Sequence, residues 1–175
     1  MIFYYTATGN SLFVARHIEK NPISIPQELK KENLNYEDEI IGIVAPIYAG
    51  ELPKTVRKFI EKANFQTKYF YLLLTYGNKD SVASVWSEQF CLKNEIHVDY
   101  IQTIQMVDNY LPSFDMQEQM SIDKKENLQI QEALCDIQLR KKKIPQPTQE
   151  GKELYERVRK RFQEHPELNN GETIM

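Results

Sequence analysis

Only two cysteines occur in the 175 residues, Cys91 and Cys135, far apart and outside any Cys-x-x-Cys spacing. That count excludes the disulfide framework that staples small secreted domains, and it excludes a thiolate cluster for zinc or iron–sulfur. The three histidines, His17, His97 and His165, are equally scattered, so no metal site is expected. Charge of one sign is missing as well. The 22 Lys and Arg stand against 25 Asp and Glu, a formal net charge of −3, which gives no global drive toward nucleic acid or an anionic membrane. No stretch approaches the roughly 20 apolar residues that span a bilayer. The first residues lack the basic region and apolar run of a secretory leader. A cytoplasmic protein with no membrane span is the expectation. Two nucleotide-binding signatures are also absent. Without Gly-x-x-x-x-Gly-Lys-Ser/Thr there is no support for a nucleotide hydrolase, and without Gly-x-Gly-x-x-Gly little for a nicotinamide-dinucleotide fold.

What is present is a regular alternation. Apolar runs lie at residues 2–5, 40–45, 69–74 and 98–106, the first three nearly continuous. Continuous rather than alternating runs suit strands buried on both faces, as in a parallel sheet covered by helices. Ile23-Ser24-Ile25, between Pro22 and Pro26, reads as a short edge strand. Helical spacing fills the gaps. Residues 10–20 set Leu12, Ala15 and Ile18 on one side, with Phe13 a further candidate. Residues 53–63 open on Pro53 and carry Val56, Phe59 and Ile60. Residues 80–94 open on the cap candidates Asp80 and Ser81 and carry Val82, Val85, Trp86 and Phe90. Strand–helix alternation implies βαβ units with right-handed crossovers. Residues 117–143 read as one long helix ending in Arg140-Lys141-Lys142-Lys143, broken by Pro145 and Pro147. Thr148 caps a further helix over 148–164, and the segment from Pro166 is a polar tail. The expected division is a domain over 1–143 and a C-terminal helical extension and tail over 144–175.

Behind the first strand stands Thr6-Ala7-Thr8-Gly9-Asn10-Ser11. In an open parallel α/β sheet ligands bind outside the carboxyl ends of the strands. A helix that begins there offers free N–H groups and a favourable dipole to an anion. Three hydroxyls and a glycine suit that task better than core packing. Taken alone, the loop reads equally as an ordinary polar turn with a Thr or Asn cap.

The stretch YYTATGNSLFVARHI, residues 4–18, resembles the phosphate loop of the flavodoxin-like family, T/S-x-T-G-N-T/S. It is most similar to the flavodoxin portion of bacterial proteins that join a flavodoxin domain to a ferredoxin domain. The resemblance implies a three-layer sandwich with five parallel strands in the order 2-1-3-4-5, a C-terminal helical extension, and noncovalent FMN. By position Thr6, Thr8, Asn10 and Ser11 would give side-chain contacts to the FMN phosphate, and Ala7 and Gly9 backbone N–H groups. Pro46-Ile47-Tyr48-Ala49-Gly50, after the third strand, is similar to the family's first ring-side loop, with Tyr48 as a stacking face and the Gly50 peptide near flavin N5. The competing reading there is a core tyrosine and a helix start at Pro53. Thr75-Tyr76-Gly77-Asn78 corresponds to the second ring-side loop. Asn109 and Tyr110, after the fifth strand, would lie near the flavin mouth, or serve as ordinary turn residues.

The chain departs from the two-domain relatives in having no run of cysteines for iron–sulfur clusters. An electron partner, a ferredoxin or a reductase, would then be a separate protein. The expected function is an FMN-binding flavoprotein acting in electron transfer, with no acid–base residue assigned. The alternatives are an FMN-dependent NAD(P)H:quinone or flavin reductase, and a degenerate flavodoxin-like binding module without redox activity. Lys54, Arg57 and Lys58, and the basic residues at 140–143 and 157–161, read as solvated faces. Nucleic acid is not an expected partner.

Overall fold

The computed structural model describes residues 1–108 and 123–166. Strands β1 (Ile2–Tyr4), β2 (Ile23–Ser24), β4 (Ile40–Pro46), β6 (Tyr69–Tyr76) and β7 (Tyr100–Gln105) form one sheet in the order β2-β1-β4-β6-β7. Every pairing in it is parallel. Counting only these strands, the order is 2-1-3-4-5. The fold is flavodoxin-like.

The apolar runs divide between the two faces residue by residue, as the pleat demands. Phe3, Ile41, Ile43, Ala45, Phe70, Leu72, Leu74 and Ile101 point into one core layer. Helices α2 (Ile25–Glu28), α3 (Lys54–Lys62) and α4 (Ala83–Lys93) cover it. Ile2, Val44, Tyr69, Tyr71, Leu73, Tyr100 and Ile104 point into the other, under α1 (Asn10–Ile18) and α5 (Glu126–Gln138). Gly42 is required by this packing. It pairs with Tyr71 across β4 and β6, and a Cβ on it would collide with the Tyr71 ring.

Several local expectations are corrected. Residues 126–138, not 117–143, are the helix within the described part of that segment; Lys125 sits at its N-cap with φ 52. After it the chain turns back along β7. Lys143 bridges Tyr100 in parallel, Lys143 N–H donates to Asp99 O at 3.0 Å, and Ile101 N–H donates to Lys143 O at 2.8 Å. The basic cluster therefore lies at the sheet edge, exposed as expected but held by specific partners rather than on a helix face. Arg140 meets Glu39 at 3.2 Å, Lys141 meets Asp136 at 2.6 Å, Lys142 meets Asp99 at 3.0 Å, and Lys143 donates to Gln102 Oε1 at 3.3 Å.

In α4 the inward face is Ala83, Ser84, Ser87 and Cys91. Small side chains bring the helix close to the sheet, so Trp86 and Phe90 flank it and stack on each other at 5.2 Å. Asp80 and Ser81 do not cap this helix. Asp80 accepts from Thr103 Oγ1 at 3.1 Å, and Ser81 donates to Gly151 O at 2.8 Å. In α1 the buried residues are Ser11, Val14 and Ala15, and Phe13 is 42 % exposed. Pro53 sits at the N-cap of α3. A small parallel pair unannounced by any apolar run, β3 (Asn35–Glu37) with β5 (Asn64–Gln66), closes the α3 side. Tyr36 and Phe65 from this pair pack with Phe3 and Phe59. Helix α6 (Gln149–Glu164) begins as expected, with Thr148 Oγ1 accepting from Gly151 N–H at 3.0 Å. Among the described residues no helix is long and apolar enough to cross a membrane.

Candidate functional site

The parallel sheet brings the loops after β1, β4 and β6 to one end, and hydrogen bonds tie them together. The first loop closes on itself. Gly9 N–H donates to Thr6 Oγ1 at 2.9 Å, and Gly9 takes φ 100, a left-handed conformation that a side chain would strain. That geometry makes Gly9 the N-cap of α1, and among the described residues no side chain caps the helix. The Thr or Asn cap of the ordinary-turn reading is therefore not formed. Ala7, Thr8 and Gly9 are exposed. The Thr6 hydroxyl accepts from Gly9 and keeps its proton to donate.

Asn10 and Ser11 face inward instead. Asn10 Nδ2 donates to Val107 O at 3.0 Å, joining the loop to the segment after β7. Ser11 is 1 % exposed, and its hydroxyl pairs with Thr75 Oγ1 at 2.8 Å at the end of β6. Thr75, itself buried, also accepts from Ile47 N–H through its carbonyl at 2.9 Å. Thr75 thus links all three loops.

After β4, Tyr48 and Glu51 exchange backbone hydrogen bonds at 2.9 and 3.0 Å. Between them Ala49 at φ 52 and Gly50 at φ 80 form a left-handed pair, the kind a tight two-residue hairpin needs. Pro46, Ile47 and Tyr48 are half-buried, Ala49 is exposed and Gly50 buried. Burial, with the neighbouring Tyr5, raises the Tyr48 hydroxyl to a pKa of about 12. Burial, with Asp80, raises that of Tyr76. Both present neutral hydroxyls near pH 7.

After β6, Tyr76 and Gly77 are held against the β7 end. Met106 N–H donates to Tyr76 O at 2.7 Å and Gln105 Nε2 to Gly77 O at 3.1 Å. A Cβ on Gly77 would strike the Asp108 carboxyl. Asn78 is exposed. Of the residues singled out from sequence, those from Thr6 to Ser11, Pro46 to Gly50 and Thr75 to Asn78 therefore gather at one sheet end. Asn109 and Tyr110 lie outside the described residues.

Three features escaped sequence reasoning. A shallow groove of about 370 Å³ runs from Gly9 along α1, lined by Leu12, Phe13, Arg16 and His17. It brings a guanidinium from two turns down the helix toward a loop that has no cation of its own. Glu51, beside the hairpin, carries the second. It accepts from Tyr155 and pairs with Arg57 and Arg159. Arg57, expected on a solvated face, also lies over the Trp86 ring at 5.7 Å. The third is where α6 docks, on the loops after β4 and β6. Contacts between residues 104 positions apart leave no local pattern to read.

No family model matches the chain, and no curated protein sequence does. Among solved structures, the Trp repressor binding protein from Bacillus subtilis is similar at 9 % identity and a TM-score of 0.46, over 77 % of this chain and 97 % of that one. Rubredoxin oxygen:oxidoreductase from the anaerobe Desulfovibrio gigas is similar at 11 % identity and a TM-score of 0.44, over 77 % of this chain and 35 % of that one.

Proposed function

We propose that the chain binds FMN noncovalently at the end of the sheet and acts in electron transfer with a separate redox partner protein. The observation that carries this reading is the start of α1. A left-handed glycine cap leaves its first turn without a side-chain cap among the described residues, behind exposed Ala7, Thr8 and Gly9. Free amides and hydroxyls of that kind suit a phosphate without lysine, since the helix end itself favours negative charge. The position supports the same reading. The strand order reverses between β1 and β4, and in open α/β sheets the crevice at that reversal is where ligands bind.

The residues present fit the group. Thr6, Thr8 and the backbone N–H of Ala7 would hold the phosphate, while the Gly9 N–H, expected to join them, is spent on Thr6 Oγ1 and fixes the loop instead. Asn10 and Ser11 would hold the loop to β7 and β6, a supporting role that their inward hydrogen bonds favour. Pro46 to Gly50 and Thr75 to Asn78 would flank the ring, with Tyr48 and Tyr76 supplying aromatic surface. FMN, when bound, supplies the electron-accepting and electron-donating chemistry, and the protein contributes binding, orientation and electrostatics.

Purified protein incubated with FMN is expected to show a flavin absorbance spectrum altered from that of free FMN and saturation at about one equivalent, one site per chain. Under anaerobic photoreduction the bound flavin should bleach and then recover on oxidation. A protein that stays colourless after incubation would be a degenerate module. Steady-state oxidation of NAD(P)H by the loaded protein would instead place it among the reductases.

A further inference from the structure

Helix α6 reaches both loops that flank the candidate ring position. Tyr155 covers Gly50, with a ring carbon 3.0 Å from where a Cβ would stand. Its hydroxyl donates to Glu51 Oε1 at 2.8 Å, and Arg159 Nη1 reaches the same oxygen at 3.0 Å. Arg57, from α3, meets Glu51 Oε2 at 3.3 Å. The Glu51 side chain is only 13 % exposed, so the three partners act on a largely desolvated carboxylate.

At the other loop, Ser81 Oγ donates to Gly151 O at 2.8 Å and Lys79 pairs with Glu150 at 3.0 Å. Gly151 makes this approach possible, because a Cβ there would stand 2.9 Å from Ser81 O. Each loop also holds a non-glycine residue in the left-handed region at the contact, Ala49 at φ 52 and Ser81 at φ 54. Such backbone is unfavourable for a residue with a side chain and persists where its surroundings hold it.

We propose that α6 is a clasp that fixes both ring-side loops, with Glu51 as the positioning residue that holds the Ala49–Gly50 turn. The effect on a bound flavin rests on the FMN reading above; the clasp itself does not. Removing the Glu51 charge leaves Arg57 and Arg159 without their shared carboxylate and weakens the tether of the turn to α6, to which Tyr155 alone still contributes. The clasp acts on the ring side, so its loss weakens FMN and riboflavin alike. A defect in the phosphate loop, by contrast, separates the two ligands.

The test compares Glu51→Gln and Gly151→Ala with the parent chain. Alanine is the better helix former, so G151A keeps α6 helical while pushing it from Ser81, and it separates docking from helix formation. Hydrogen exchange on the apo protein reads the turn through the amides of Tyr48 and Glu51, which bond across it. In both variants that exchange should accelerate about tenfold, while β6 exchanges at the parental rate and shows that the sheet is intact. Kd values for FMN and riboflavin should rise by a common factor of about ten. Parental exchange at the turn in both variants would overturn the clasp, and so would parental flavin affinity with a loosened turn. A parent chain that binds neither flavin removes the FMN reading, and the exchange comparison still decides the clasp.

Discussion

At the scale of single residues, the six positions of the first loop divide by direction. Ala7, Thr8 and Gly9 are exposed and Thr6 folds back to accept from Gly9 N–H, while Asn10 and Ser11 tie the loop to neighbouring strands. The sequence announces that this loop is polar and contains a glycine. It does not announce which hydroxyls are consumed internally, because Thr75 lies 64 positions from Ser11. The division predicts unlike phenotypes. Thr8→Ala should weaken FMN about tenfold, the worth of a hydrogen bond to a charged group, and leave riboflavin affinity and thermal stability unchanged. Ser11→Ala should instead lower stability by about 1–2 kcal/mol, since Thr75 Oγ1 loses its buried partner. Titration of both flavins, with thermal melts of each variant, separates the two. Equal losses of FMN and riboflavin on Thr8→Ala would count against the phosphate assignment.

At the scale of elements, the buried strands were the most legible feature. Their side chains enter two core layers, so continuous apolar runs betray them, and β4, β6 and β7 fall within or close to their expected spans. Helix faces were less legible where small residues do the packing. In α4 the conspicuous Trp86 and Phe90 flank a contact made by Ala83, Ser84, Ser87 and Cys91. The basic run at 140–143 misled for a related reason. It looks like the end of a helix, and only tertiary pairing turns it into an edge segment beside β7. The anchor of that segment is Asp99, 6 % exposed, which accepts from Phe70 N–H at 3.1 Å and pairs with Lys142 at 3.0 Å. Asp99→Ala takes away the acceptor and the charge together and should cost about 2–3 kcal/mol. Asp99→Asn keeps an acceptor and should cost less. Urea denaturation of both variants checks the order, and equal midpoints would contradict the assigned role.

At the scale of the whole molecule, the alternation of elements pointed to a parallel sheet with right-handed crossovers, and the strand order 2-1-3-4-5 came from the resemblance to the flavodoxin-like family. What stayed hidden is how the C-terminal helix returns to the crevice, a matter of long-range contacts at Gly50, Glu51 and Ser81. Surface charge makes a further prediction. Asp38 is held below its ordinary pKa chiefly by its hydrogen bond from the N-terminal amine, Glu39 chiefly by Lys68, and Asp136 chiefly by Lys141. A carboxylate depressed in the folded state adds stability that is present above its unfolded pKa, near about 4. That stability is lost as pH falls through the folded values. Asp38 and Glu39 are exposed and Asp136 is partly so, so the effect is modest and salt weakens it. Stability measured from pH 7 downward should fall through this window, less steeply at high salt, and a rise on acidification would contradict the pairing.

The account as a whole turns on a cradle of neutral donors for a phosphate. The most direct measurement is a paired titration of the unaltered protein with FMN and with riboflavin, which differ only in that phosphate. The account predicts that FMN binds tighter by about 100-fold or more, as several hydrogen bonds to a dianion require. Equal affinity for the two ligands, or no binding of either, would contradict it.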